Sequence, residues 1–455
     1  MKRRRITPTV PAPAPAPAPV PDRFYPSPRW SGEILDCSMP MTFDQFSRCS
    51  YDCLYCFSYF QRSVRHLNPL QNKDGKRELY THEAPYPVNV PEIKAIFSGE
   101  KRSQFSGYID EKVWMQWGGL SDPFDEFERK QGVGLELLRY FSALQYPICF
   151  STKGTWWVYD ERYMELFRRN RERWNVKFSI INLDAERSRK IERGCPPPAD
   201  RLKAMRELYE SGCSVTLRLR PFIIGLSDRD DEYLELIAQA HEQGATALST
   251  EFFCLEGRII DRTRYDKMSE VLGFDLLDFY KRNSPKRGGY MRLNWKIKEP
   301  YVNKMERLCR TLGMRFYVSD AHHKDRCATG SCCGLPEGSN YHRGQFTQAI
   351  VIARQRGEVR FSDIEPYILR CFKNIKATQA TNGLNFMRGS PGQRARFKDF
   401  TIYDMFRYFW NEPQDAKSPY KYFAGALRPD RIDGDGNVVY RFHGYQEPAK
   451  GGELI

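Results

Sequence analysis

The 455-residue chain has no apolar run long enough to cross a bilayer. It opens on Lys2, Arg3, Arg4 and Arg5, then alternates Pro with Ala, so it lacks the apolar core of a secretory leader. Tandem self-similarity is absent, which excludes a solenoid or propeller. These absences point to a soluble, cytoplasmic chain with no membrane partner. In such a reducing setting 13 cysteines, an odd number, read as metal ligands rather than as disulfides.

Acid is also in deficit. Lys and Arg number 71 against 57 Asp and Glu, a net charge of +14. The opening basic cluster accounts for only part of it, so the folded body is basic too. That favours a polyanionic partner such as nucleic acid, although a solvated basic face without such a partner gives the same total. Aromatics reach 14%, which suits either a stacking pocket or a Tyr/Phe-rich core.

Residues 1–28 are of low complexity, a basic tip followed by the Pro-rich run Pro11–Pro21. They are expected to form a disordered, polyproline-like arm outside any core. From 29 to 320 short apolar runs alternate with amphipathic ones. Strands are expected at Val113–Trp117, Ile148–Thr152, Lys177–Ile181, Ser214–Leu219, Ala247–Phe253 and Arg315–Val318. Helices are expected at Leu135–Leu144, Arg162–Arg169, Arg201–Glu210 and Glu232–His241. Strands separated by helices of this length read as βα units on a parallel sheet, and six of them suit a partial (βα)6 barrel of the α/β class. Residues 321–455 hold a Cys-rich loop and a C-terminal extension whose fold periodicity does not assign.

The decisive segment is Cys49-Ser-Tyr-Asp-Cys53-Leu-Tyr-Cys56. Three thiolates at this spacing can take three corners of a cubane from one loop, and soft sulfur ligands suit iron–sulfur clusters. The fourth iron is left open to a chelating ligand. Zinc binding and plain buried thiols are the competing readings of the same residues. Further on, Trp117-Gly118-Gly119-Leu120-Ser121-Asp122-Pro123 follows a strand, and glycines there let a ligand approach the backbone. Lys153 follows the next strand, where its ammonium can pair with a carboxylate. In parallel α/β folds that end of the strands is where ligands bind.

These motifs resemble the radical S-adenosylmethionine (SAM) superfamily, and within it the spore photoproduct lyase and DNA-repair-photolyase-like branch. The triad with Tyr55 before its last cysteine, the Ser121-Asp122-Pro123 turn and the Thr152-Lys153 pair carry the likeness. So do Glu192 to Leu202 and Arg220 to Gly225, and the likeness covers about residues 33 to 260. It implies a radical SAM barrel in which Cys49, Cys53 and Cys56 hold a [4Fe–4S] cluster. SAM would lie against Tyr55, Gly118, Gly119, Ser121, Asp122, Lys153, Ser179 and Arg220, with Ser121 and Lys153 at its methionyl end. The cluster would reduce SAM to a 5′-deoxyadenosyl radical, with an electron donor such as flavodoxin or ferredoxin. Ser179 can alternatively merely pack, and Glu251 is a pocket acid or a strand-edge residue. Arg218 and Arg220 share one side of their strand. The branch's hydrogen-donating cysteine stands two residues before the Ser-Asp pair. Here that position is Gly119, so spore photoproduct lyase activity is not expected.

A second group, His322, His323, Cys327, Cys332 and Cys333, suits a second cluster or zinc, with Cys309 as a further ligand. Alternatively it is a thiol-bearing loop whose Cys332 or Cys333 acts catalytically as a hydrogen donor. Cys37, Cys149, Cys195, Cys213, Cys254 and Cys371 read as small core residues. The basic-aromatic stretches Lys286–Lys296 and Arg394–Lys398 suit phosphate gripping and base stacking. The function expected is radical chemistry on a nucleic-acid base, in repair or modification. A radical enzyme acting on a peptide or small metabolite, and a non-enzymatic metal-bound nucleic-acid-binding protein, are the alternatives.

Overall fold

The structure, a computed structural model, describes residues 28–30, 35, 37, 39–59, 85, 87–257, 259, 261–284, 290–335, 344–377 and 397–445. The expected N-terminal arm lies outside them except for Pro28, as do residues 286–289 and 394–396 of the expected phosphate-gripping stretches. Among the described residues no helix is long and apolar enough to cross a membrane.

The fold is mixed α/β around one eight-stranded sheet whose spatial order follows the chain. We number its strands β1 (Arg29–Trp30), β2 (Met41–Phe43), β3 (Met115–Trp117), β4 (Ile148–Thr152), β5 (Trp174–Ser179), β6 (Ser214–Phe222), β7 (Ala247–Phe252) and β8 (Arg315–Val318). Strand β1 runs antiparallel to β2, and every later neighbour pair is parallel. The parallel run therefore has seven strands where sequence periodicity indicated six. The extra strand, β2, has three residues, too few for an alternation to show. Strand β5 starts three residues earlier than expected, at Trp174, and ends at Ser179 rather than Ile181. The four expected helices occur at Val133–Ala143, Glu161–Arg169, Pro198–Glu210 and Glu232–Glu242.

Alternation along the strands sorts side chains onto two faces. On β5, Trp174, Val176 and Phe178 join the aromatic layer beneath the helices, where Phe150 meets Trp174 at 5.5 Å and Trp157 stacks on Phe178. The intervening Asn175, Lys177 and Ser179 face the other way, as do Gln116, Arg218, Arg220, Ser249 and Glu251. Side chains on this polar face bond across intervening strands, so it is concave. Lys177 Nζ on β5 donates to Gln116 Oε1 on β3 at 2.6 Å. Arg220 on β6 reaches Ser319 Oγ, just past β8, at 3.4 Å.

A second apolar core lies under the strand starts. It joins Val113 and Trp114, just before β3, and Cys149 on β4 with Leu335, Phe346, Ile350, Phe406 and Trp410 from the C-terminal segment. That segment contributes the helices Phe346–Arg356 and Ile402–Asn411 and a small antiparallel sheet. Replacing Trp114 with Ala removes a buried ring from this shared core and should cost about 3–5 kcal/mol. Denaturant unfolding measures the loss, and the C-terminal segment should become the first region cut in limited proteolysis.

Candidate functional site

The thiol loop is held by backbone pairing and by two arginines. Asp52–Cys53 pairs antiparallel with Glu192–Arg193, and Leu54 N donates to Ile191 O at 2.8 Å. Arg264, on the helix Arg262–Leu272, donates to Asp52 Oδ1 at 2.8 Å and to Cys53 O at 2.6 Å. Its guanidinium also lies 4.2 Å from the Tyr59 ring centroid. Glu192 accepts from the Tyr55 hydroxyl and pairs with Arg201 Nη1 at 2.6 Å, with both side chains fully buried. Arg201 also donates to Ser179 O at 2.9 Å and to Pro196 O at 2.8 Å.

The glycine turn after β3 is shaped by Asp44 and Asp122. Asp44 Oδ1 accepts from Leu120 N at 2.9 Å, Ser121 N at 2.8 Å and Ser121 Oγ at 3.2 Å. Asp122 Oδ1 accepts from Thr152 Oγ1 at 2.6 Å and Phe124 N at 3.0 Å, and Asp122 Oδ2 accepts from Lys153 N at 2.6 Å. Ser121 and Asp122 thus direct these groups at their own framework, and Asp122 latches the β3 turn to the end of β4. Burial raises the Asp122 carboxyl, against the hydrogen bonds from Thr152 and Lys153. Gly118 has φ +88°, and a Cβ there would stand 2.6 Å from Ser151 O. At Gly119 a Cβ would run into Thr42 Oγ1 and lie 2.9 Å from Arg29 Nη2. The Arg29 guanidinium is itself paired with Asp44.

Cys49, Cys53 and Cys56 share this end of the sheet with Lys153. Charge on Cys53 bears on both other thiols. Burial raises Cys49 and Cys56. Cys53 is lowered by a contact with Cys195, whose sulfur is 3.6 Å away, and then by Lys153. Lys153 Nζ stands 4.0 Å from Glu192 Oε1 and 5.7 Å from the Tyr55 ring centroid. Burial opposes its charge, and the charges of Cys53 and Glu192 outweigh that and raise it. Among the described residues no group of three His, Cys, Asp or Glu side chains is gathered as around a single ion. Thiolates bound to different irons of a cubane stand further apart than the ligands of one ion. Three sulfurs on one eight-residue loop, within electrostatic reach of one another, fit that donor set.

Deeper on the concave face, Arg218 Nη1 donates to Ser179 Oγ at 3.2 Å and Arg220 pairs with Glu251. Burial, and then Arg220 beside it, push Arg218 down to about 10. Glu251 more than offsets burial at Arg220 and raises it. The Nε atoms of both arginines are buried without a hydrogen-bond partner.

The second cysteine group is not drawn to one point. Cys327 Sγ accepts from Val318 N and donates to Val318 O, each at 3.3 Å. Cys309 is buried in the main core. His323 Nε2 lies 3.3 Å from Trp295 O, and His322 stacks on Trp295. Cys332 and Cys333 pair with each other at 3.8 Å. Cys195, expected as a core filler, is half-buried against Cys53 instead. Its place three residues from the Glu192 landmark was the available signal. Asp44, Arg29 and Arg264 carried none, because their roles arise only from contacts distant in sequence.

No family model matches the chain. Uncharacterized proteins of Mycobacterium bovis and of two Mycobacterium tuberculosis strains are each 23% identical to it over 218 residues. That span is 48% of this chain and 59% of theirs, less than two thirds of those relatives' length. Among solved structures, a spore photoproduct lyase variant with bound AdoMet and dinucleoside spore photoproduct is similar at a TM-score of 0.44 and 16% identity, over 62% of this chain and 77% of that one. Streptococcus suis SuiB bound to precursor peptide SuiA is similar at a TM-score of 0.37 and 12% identity, over 64% of this chain and 51% of that one.

The crowding at Gly119 yields a direct test. A Gly119→Cys variant forces its Cβ into Thr42 and Arg29 and should lose about 1–3 kcal/mol of stability. The pair Gly119→Cys and Thr42→Ala should recover part of it, as read from denaturation midpoints.

Proposed function

We propose that this chain is a radical SAM enzyme with a partial barrel. In this reading Cys49, Cys53 and Cys56 bind a [4Fe–4S] cluster and the chain acts on a nucleic-acid base, in repair or modification. One observation carries the reading: a loop of C-x3-C-x2-C spacing lies at the carboxyl ends of parallel strands, beside the Lys153 ammonium. A [4Fe–4S] cluster held by Cys49, Cys53 and Cys56 would supply the electron for reductive cleavage of SAM.

The chain's own residues then have distinct tasks. Lys153 pairs with the SAM carboxylate, and Asp122 fixes its position through the Lys153 backbone. Gly118 and Gly119 let the turn pack closely against Ser151 and Thr42, which a Cβ at either position would strike. Ser121 shapes that turn through Asp44. Tyr55, held by Glu192, walls the loop. Ser179 and Arg220 line the floor beyond. The substrate class rests on the net charge of +14 together with the arginines of the concave face. A carrier protein of the flavodoxin or ferredoxin kind is the electron source in this reading.

Anaerobic reconstitution with iron, sulfide, SAM and reductant tests it. Wild type should release 5′-deoxyadenosine, and a variant with Cys49, Cys53 and Cys56 all changed to Ala should bind no iron there and release none. Release by the triple variant defeats the proposal.

Lys153→Ala should keep the iron and weaken SAM binding by about 1.5–3 kcal/mol, the worth of one charge-assisted contact. Calorimetry on the reconstituted protein measures it. Binding to DNA or RNA should fall steeply with added salt, whereas affinity for neither nucleic acid moves the substrate to a peptide or metabolite.

A further inference from the structure

The loop Ser331–Leu335 enters the concave face from the strand starts. Ser249 Oγ on β7 donates to Cys332 O at 2.8 Å, and Asn175 Nδ2 on β5 donates to Gly334 O at 3.2 Å. Gly334 has φ +69°, and a Cβ there would meet the Thr216 side chain on β6 at 3.1 Å. Arg315 Nη1, from β8, donates to Leu335 O at 3.1 Å. Four strands therefore seat this loop, and Leu335 anchors it in the second core. The seating holds two adjacent thiols, half-buried, with sulfurs 3.8 Å apart.

We propose that Cys332 and Cys333 form a dithiol that donates a hydrogen atom to a carbon-centred radical formed on the concave face. The inference rests on the radical SAM reading above. The two sulfurs have different tasks. Hydrogen bonding from Cys332 lowers Cys333 to about 7, against burial and with help from Lys177 and Arg220, while the same bond raises Cys332. At neutral pH Cys332 keeps its proton and Cys333 is thiolate in about half of the molecules. The Cys332 S–H bond breaks homolytically and a C–H bond forms, so the carbon radical is reduced and Cys332 becomes a thiyl. The thiyl bonds to the Cys333 thiolate as a disulfide radical anion. One electron then leaves to an oxidised carrier of the iron–sulfur or flavin class, and a disulfide remains. A dithiol reductant returns it to two thiols.

Reductive SAM cleavage by the reconstituted full chain in D2O, without added substrate, tests the donor. Thiol hydrogens exchange with solvent, whereas those on carbon do not. Wild type should place one deuterium in 5′-deoxyadenosine. Cys332→Ser should bring that label to background. Cys333→Ser should keep the label on the first turnover and form no Cys332–Cys333 disulfide, as read by peptide mass spectrometry. Unchanged label in both Cys332→Ser and Cys332→Ala overturns the donor and leaves the cofactor reading standing. Wild type that makes no 5′-deoxyadenosine overturns both. Titrating the full chain with a pyridyl disulfide supplies a readout independent of turnover. It should convert these two thiols, together, to an internal disulfide, and stable single adducts on each sulfur would overturn the pairing.

Discussion

Most of the site is held together by one buried ion pair. Glu192 and Arg201 are taken wholly out of water, which is favourable only where each charge meets its opposite and further hydrogen bonds complete both groups. The ion pair meets the first condition and only part of the second, since Arg201 Nη2 is buried without a hydrogen-bond partner, and its two members reach in different directions. Glu192 takes the Tyr55 hydroxyl from the thiol loop, while Arg201 takes the carbonyls of Ser179 and Pro196. One pair thereby fixes the thiol loop, the end of β5, the segment around Cys195 and the start of the helix Pro198–Glu210. Such a pair contributes little net stability over an apolar replacement. What it adds is position, because a shift of either partner strands a charge in the interior.

The concave face poses the opposite problem. Arg218 and Arg220 stand side by side, and Lys177 lies on the next strand. Glu251 balances Arg220, and Gln116 takes Lys177. Arg218 has only neutral oxygens, Ser179 Oγ and Arg220 O, among its hydrogen-bond acceptors. A face with more positive than negative charge is suited to an anionic group of a ligand, and the framework bears the cost of keeping it so.

Much of this was legible in the sequence, for identifiable reasons. Six of the eight strands are long enough, or flanked by enough helix, for periodicity to reveal them. The C-x3-C-x2-C spacing and the Lys153 position are local patterns that survive without a fold. Strand β2 was illegible because three residues carry no period, and β5 was displaced because Lys177 was taken as its start when it lies mid-strand. The contacts of Asp44, Arg264 and Cys195 needed the chain to close on itself first. The C-terminal segment was unreadable for a related reason: its core is completed by Val113, Trp114 and Cys149, more than 180 residues earlier in the chain, so its own pattern is only part of an apolar surface.

The packing around Gly119 bears on how such a chain can diverge. Thr42 and Arg29 occupy the volume that a side chain at 119 would need, and Arg29 is tied to Asp44, which in turn organises the glycine turn. A larger residue at 119 is therefore accommodated only after Thr42 or Arg29 has already shrunk, and shrinking either first leaves a gap or an unpaired carboxylate. The three positions are therefore coupled through packing, and the cost of a substitution at 119 depends on what stands at 42 and 29.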